Sequence, residues 1–299
     1  MSVQRPFPVR RPYRIGLPGG RRLELGLRTL VMGVLNVTPD SFSDGGRFAT
    51  TDAAVAGALA LVEAGADIID IGGESTRPGA LPVGSDEECA RVVPVIEALV
   101  RRSPAIVSVD TYKAAVAREA IEAGAAMVND VSGLTAEPDL AGVVADRAAA
   151  IVLMHTRGNS ADMYRFAQYA DVVAEVADEL SSAVERAVAS GVPRSAVILD
   201  PGLGFAKRAP DSLALLARLD TQPLNQLDCP LLVGPSRKSF LSSALGERPP
   251  ADRDWGTAAA VTAAILAGAH IVRVHNVAGM RDVARVADAV LAARAGSVG

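Results

Sequence analysis

From residue 29 onward the chain alternates short apolar runs with longer, Ala-rich amphipathic segments. A short apolar run bounded by turn residues reads as a buried strand, and a longer segment with a 3.6-residue period reads as a helix. Eight strands are predicted, at 30–35, 67–71, 105–109, 126–129, 150–154, 196–199, 230–233 and 270–274, each followed by a helix-compatible stretch. Glu-Ala-Gly-Ala precedes a strand at 63–66 and again at 122–125, and Ala-Gly-Ala does so at 267–269. Glycine there ends a helix in a left-handed cap and turns the chain straight into β structure. The joint between helix and strand is therefore the same one three times.

Eight βα units close into a (β/α)8 TIM barrel or lie in an open doubly wound sheet. No GxGxxG opens a helix after the first strand, so the signature of a dinucleotide-binding sheet is missing. Together with the residues at the strand ends, this resolves the α/β class to the barrel. A barrel holds about 250 residues in one domain, so 29–299 is read as a single barrel in a chain of 299 residues. The first 28 residues form a basic extension that includes YRIGLPGGRRLELGLR, two alternating segments around Pro18-Gly19-Gly20. That is a β-hairpin signal, expected to lie over the bottom of the barrel.

Composition narrows the function classes. Hydrophobic residues make up 49% of the chain and aromatic residues 4%, so the core must be built from Ala, Val, Leu and Ile, as in helix-covered parallel sheets. A net charge of -4, from 34 acidic and 30 basic residues, gives no field suited to a nucleic-acid partner. The start of the chain lacks the apolar stretch of a signal peptide, and no run of about 18 apolar residues would span a membrane. Cys89 and Cys229 carry no metal-site spacing. An unprocessed cytoplasmic protein is expected.

In a barrel, the residues that follow each strand line the mouth where ligands bind. Asn36 follows the first strand in a polar, Gly-rich loop, where an Asx turn is the plain alternative. After the second strand, Gly72-Gly73-Glu74-Ser75-Thr76-Arg77-Pro78-Gly79 combines close backbone approach with donors for phosphate or carboxylate oxygens. The third strand ends in Asp110-Thr111, the fourth in Asn129-Asp130 and the sixth in Asp200-Pro201-Gly202-Leu203-Gly204-Phe205. Each acid or amide alone could cap the next helix. Three aimed into one mouth suit a flat ligand edge rich in N–H donors.

The seventh strand runs into Gly234-Pro235-Ser236-Arg237-Lys238-Ser239, which places adjacent cations at a helix N-terminus already carrying about +0.5 charge. A ligand is expected to compensate both. Arg273 and His275 alternate onto the same face of the eighth strand, and phosphate sites recur beside the last two strands of such barrels. A lone histidine is more often structural, and His155 after the fifth strand stays open between that role and a catalytic one.

Together VMGVLNVTPDSFSDGG, DIGGESTRPGA, SVDTYKAAVAREAIEAGA, VNDVSG, ILDPGLGF, GPSRKSFL and VRVHNV resemble the dihydropteroate synthases, over about residues 30 to 277. The resemblance implies an enzyme, a transferase of folate biosynthesis that joins a pterin-methyl diphosphate to p-aminobenzoate and is a sulfonamide target. It implies that Asp110, Asn129, Asp200 and Lys238 hold the pterin, with Met154 and Phe205 as apolar walls and Gly234 and Phe42 in the substrate-binding set. Asn36, Arg273 and His275 would hold the diphosphate, with Mg2+ near Asn36 and Asp44. Thr76, Arg77, Pro78 and Ser239 would form the p-aminobenzoate side, and Asp110, Asp200, Lys238 and Asp44 would be the catalytic groups. Loops 36–50 and 72–84 are expected to shield a pterin cation from water.

The sequence departs from the family's usual pattern at Asn159-Ser160, where Thr-Pro is common, and at Arg208, where a small hydroxyl residue is frequent. A pterin-binding methyltransferase barrel would share the Asp/Asn pocket without needing Lys238, Arg273 and His275 for a diphosphate. A catalytically silent relative would lack loop residues such as Asn36, Asp44 or Arg77, which are all present. The Ala- and Val-rich final helices favour a homodimer.

Overall fold

The computed structural model describes residues 10–38, 47–75 and 79–296. A hairpin of β1 (Tyr13–Gly16) and β2 (Arg22–Leu25) opens the chain, its turn made by Pro18 with Gly19 and Gly20 at positive φ. The barrel strands are β3 (Leu30–Asn36), β4 (Ile68–Gly72), β5 (Ile106–Asp110), β6 (Met127–Asp130), β7 (Ala150–Met154), β8 (Val197–Asp200), β9 (Leu232–Val233) and β10 (Ile271–Val274). The helices are α1 (Arg47–Glu63), α2 (Ser85–Arg102), α3 (Ala114–Glu122), α4 (Leu140–Asp146), α5 (Val172–Ala189), α6 (Ala209–Ala217), α7 (Ser242–Leu245), α8 (Asp254–Leu266) and α9 (Val277–Gly296).

All eight barrel strands pair in parallel, in the order β8-β7-β6-β5-β4-β3-β10-β9. A bridge between Leu199 and Leu231 joins β8 to the entrance of β9 and closes the ring. The strands fall within two residues of the predicted positions. β9 is the short one, because Pro230 has no N–H to give to a ladder and only its carbonyl is used, accepting from Leu199 N at 2.9 Å. The predicted joints are present, with φ of +99° at Gly65, +113° at Gly124 and +97° at Gly268. Gly191, at +95°, is a fourth such joint that the Ala-Gly-Ala pattern did not reveal.

Alternation along each strand divides the core in two. Outward residues such as Val31, Ile69, Val107, Val128, Ile151, Leu199 and Val272 pack under the helices. Inward residues near the strand starts, among them Leu30, Met32, Ile68, Met127, Val152, Ile198, Leu232 and Ile271, fill the barrel. Ile15, Leu17, Leu23 and Leu25 of the hairpin join that inner cluster, so the hairpin plugs the barrel's N-terminal end as expected. Burying each such side chain stabilises by about 1.5 to 3 kcal/mol. Among the described residues, the plug closes the N-terminal end of the barrel and leaves the C-terminal end to a ligand.

Candidate active site

The same two-residue period that puts Ile68, Met127, Ile198, Leu232 and Ile271 inside puts Asp70, Asn129, Asp200, Gly234 and Arg273 inside one step higher. Asp110 stands two steps above Ile106, and Met154 one step above Val152. The barrel's apolar filling therefore ends in a polar layer. Asp70, Asp110, Asn129, Asp200 and Met154 are all buried there, while Arg273, Lys238 and Phe205 are partly exposed.

The layer is tightly connected. Arg273 Nε donates to Asp70 Oδ2 at 2.7 Å, and its Nη2 donates to Asp110 Oδ2 at 2.6 Å. Asn129 Nδ2 donates to the same Asp70 oxygen at 3.0 Å. Asp200 Oδ1 accepts from Gly202 N at 2.7 Å. Lys238 Nζ lies 4.5 Å from the centre of the Phe205 ring, a cation–π contact. A Cβ placed on Gly234 would sit 3.7 Å from Lys238 Nζ, 3.8 Å from Asp200 Oδ2 and 3.6 Å from Arg273 Cβ. Gly234 is thus the point on which the Asp200 carboxylate, the Lys238 ammonium and the stem of Arg273 converge.

Burial and close opposite and like charges shift the ionisation of Asp110, Asp200, Lys238 and Arg273. Burial, with Asp70 as a neighbouring anion, pushes Asp110 up to about 7 although Arg273 opposes it. Burial raises Asp200 as well, against the pull of Lys238. Burial lowers Lys238 to about 8, with Asp200 holding it up and Arg273 holding it down. Arg273 resists its own burial because Asp70 and Asp110 keep it charged. Asp70 Oδ1 and Asp110 Oδ1 are buried acceptors without a hydrogen-bond partner among the described residues. A ligand edge with N–H groups would satisfy them.

Some of the expected rim residues can be placed in the fold. Asn36 ends β3, and exposed Ser239 opens the 3-10 turn after Lys238. His275 Nδ1 is 2.9 Å from Ser236 Oγ, at the rim above Arg273. Phe42, Asp44, Thr76, Arg77 and Pro78 lie outside the described residues, as does most of the first expected loop. The second loop is anchored on both sides of that gap. Glu74 accepts from Lys113 Nζ at 2.6 Å, Tyr112 OH at 2.9 Å and Val83 N at 2.8 Å. Gly79 N donates to Ser160 O at 3.0 Å. Lys113 also pairs with Glu88, a fully buried residue of α2.

Two expectations change. Arg237 does not await a ligand, because Asp254 of α8 receives its Nε at 2.7 Å and its Nη2 at 3.0 Å. Beyond Lys238 the chain makes only a 3-10 turn and a four-residue helix, so the dipole argument had little helix to act on. His155 is structural: its Nε2 meets Glu179 Oε2 at 3.0 Å and its Nδ1 meets Lys207 Nζ at 2.8 Å. Burial, reinforced by Lys207, lowers it to about 4, so it is neutral. Asp130 caps a turn, accepting from Ser132 N at 2.8 Å and Leu134 N at 2.6 Å. Sequence reading missed Asp70, a mid-strand acid in an apolar run, and Lys207, a buried cation behind the Gly202 and Gly204 loop.

The family model described as pterin binding enzyme matches residues 32–275. The chain is 49% identical over 275 residues to a dihydropteroate synthase of Synechocystis, covering 92% of this chain and 94% of that one. The chain belongs to the dihydropteroate synthase family. A dihydropteroate synthase of Bacillus subtilis is 46% identical over 264 residues, covering 88% of this chain and 89% of the relative. The crystal structure of the Xanthomonas albilineans enzyme with 4-aminobenzoic acid superposes with a TM-score of 0.86 at 45% identity, covering 94% of this chain and 98% of that one. The shared fold is the same barrel.

Proposed function

We propose that the barrel mouth condenses 6-hydroxymethyl-7,8-dihydropterin diphosphate with p-aminobenzoate, giving 7,8-dihydropteroate and diphosphate in folate biosynthesis. The observation that carries the reading of the site is the buried acid layer. Asp70, Asp110 and Asp200 present acceptors, two of them unpartnered, where a pterin would turn its 2-amino and ring N–H groups. Asn129 stands among them, and Lys238 supplies a donor for the pterin carbonyl side. Met154 and Phe205 wall the ring.

The chemistry is set by where charge goes. The C–O bond at the pterin methyl carbon breaks, its electron pair leaves with diphosphate, and the positive charge left behind spreads into the dihydropterin ring. Carboxylates beneath the ring favour that cation. Arg273, His275 and Asn36 would meet the departing diphosphate. The neutral aniline nitrogen of p-aminobenzoate then attacks the carbon, and its proton leaves to water or to diphosphate. No strong base is required. Thr76, Arg77, Pro78 and Ser239 are assigned to p-aminobenzoate, and Phe42 to the substrate set.

Mg2+ belongs to this reading. Among the described residues no group of three or more His, Cys, Asp or Glu could hold a metal ion. Mg2+ keeps several waters and binds through phosphate oxygens with one or two protein ligands, so one amide and one carboxylate oxygen would fit a metal carried largely by the diphosphate. Asn36 and Asp44 would be its protein donors, and bound there it would neutralise charge on the leaving group. Exposed Val286 and Val290 on α9 and Trp255 on α8 support a homodimer through these helices. A cytoplasmic location completes the reading.

The test of function is an assay of diphosphate release coupled to detection of 7,8-dihydropteroate by mass. Release that depends on p-aminobenzoate and yields the condensed product is expected. Release that ignores p-aminobenzoate overturns the assignment.

A further inference from the structure

Behind the acid layer, Lys207 is 2% exposed and its side chain points into the turn after β8. Its Nζ lies 2.8 Å from His155 Nδ1, 3.1 Å from Gly202 O and 3.1 Å from Phe205 O, with His155 O at 3.4 Å. Every one of these is an acceptor. Glu179 is held as an anion by Arg157, whose Nε donates to it at 2.9 Å, so it can only accept from His155 Nε2. His155 therefore carries its proton on Nε2 and offers a lone pair on Nδ1 to Lys207. An ammonium with three N–H groups fits this cage, and a neutral amine would leave a lone pair facing acceptors. Burial lowers Lys207 to about 7, while Asp200 and Glu179 favour its charged form and Lys238 and Arg157 oppose it.

The turn that Lys207 fills is the one that aims the pocket. Gly202 and Gly204 take φ of +69° and +78°, and Ala206 takes +46°, an uncommon conformation for a residue with a side chain. Gly202 N holds Asp200 Oδ1, and Phe205 supplies the ring beneath Lys238. A Cβ on Gly202 would come within 2.0 Å of His155 O, so the turn is pressed against the end of β7. His155 N also donates to Asp200 O at 2.9 Å. The carbonyls of Gly202 and Phe205 thus share one cation, which fixes the spacing between the Asp200 anchor and the Phe205 ring.

We propose that Lys207 is a positioning residue for the pterin, its ammonium tying Gly202 and Phe205 to His155 so that Asp200 and the Phe205 ring are held at the separation the pterin needs. It touches no substrate atom. The proposal rests on the assignment of Asp200 to the pterin and goes beyond it, since the sidedness of the effect is specific: pterin binding should suffer and p-aminobenzoate binding should not.

Steady-state kinetics of Lys207→Met, Glu179→Gln and Asp200→Asn, each with a melting curve, test it. Lys207→Met keeps the length and removes the charge. Its KM for the pterin diphosphate should rise about tenfold, the scale of one lost charge-assisted hydrogen bond, with the KM for p-aminobenzoate unchanged. Glu179→Gln, altered at the partly exposed far end of the chain of contacts, should raise the same KM roughly threefold. A pterin KM unchanged in folded Lys207→Met, or equal rises in both KM values, overturns the proposal. Should Lys207→Met fail to fold, an unchanged pterin KM in Glu179→Gln overturns it instead. Asp200→Asn separates the two readings: an unaffected pterin KM there would remove the pocket assignment itself.

Discussion

Arg273 on β10 donates to Asp110 on β5 at 2.6 Å, reaching across β3 and β4, and binds Asp70 on the way. The cation assigned to the diphosphate is therefore also the counter-charge of two pterin-side acids. This geometry joins the two halves of the substrate site.

Arg273→Ala should accordingly weaken both ligands. A division of roles in which Arg273 served the diphosphate alone would leave pterin affinity unchanged. With Asp70 and Asp110 left uncompensated in a buried site, calorimetry should show losses of at least about 1.5 kcal/mol for each ligand. Pterin affinity equal to the unaltered protein's would show that the acids do not depend on Arg273.

The pH profile is set by the same cluster. In the proposed pocket, pterin binding calls for Asp110 ionised and Lys238 charged. Burial raises the first to about 7 and lowers the second to about 8. The kcat/KM for the pterin diphosphate should rise through about pH 7 and fall through about pH 8. Asp70 is one of the charges that raise Asp110, so Asp70→Asn should move the ascending limb to lower pH. A limb that stays in place or moves up contradicts the coupling.

How much of this was legible beforehand depends on which physical signal each residue leaves. The barrel was legible because its strands bury nearly all of both faces and the joints at Gly65, Gly124 and Gly268 need a positive-φ glycine, and both constraints mark the sequence. Asp110, Asn129 and Asp200 were legible because they end strands. Asp70 was not, since a charge inside IIDIG has the same local pattern as an apolar strand with one exception, and its partner Arg273 lies 203 residues away. Arg237 was misread because its compensating charge, Asp254, comes from α8, 17 residues on. Lys207 was invisible for a related reason: its acceptors are backbone carbonyls, which no sequence displays.

Stability hangs on another hidden pair. Lys113 is the partner of Glu88, whose side chain is 1% exposed, and also holds Glu74 at the base of the second loop. Lys113→Met strands the buried carboxylate, at a cost of about 3 to 5 kcal/mol, seen as a fall in Tm of roughly 10 °C. Adding Glu88→Gln should recover most of it. A single variant that melts like the unaltered protein would show that the pair contributes nothing.

Gly234→Ala tests the convergence point. Its backbone is unstrained, and an added methyl would meet Lys238 Nζ, Asp200 Oδ2 and Arg273 Cβ at ordinary contact distance, so the fold should survive. The methyl would occupy space in the mouth, and pterin affinity should drop about tenfold with Tm unchanged. Undiminished affinity would place the ligand elsewhere.

In the proposed reaction, the buried layer of Asp110, Asn129, Asp200 and Lys238 binds the pterin for condensation with p-aminobenzoate. Turnover of Lys238→Ala, measured as 7,8-dihydropteroate formed and paired with a melting curve, decides whether it does. Lys238 is partly exposed at the mouth and lies outside the apolar filling. Turnover should fall about a hundredfold while Tm stays within about 3 °C. Turnover like that of the unaltered protein, with the melting curve in place, would contradict it.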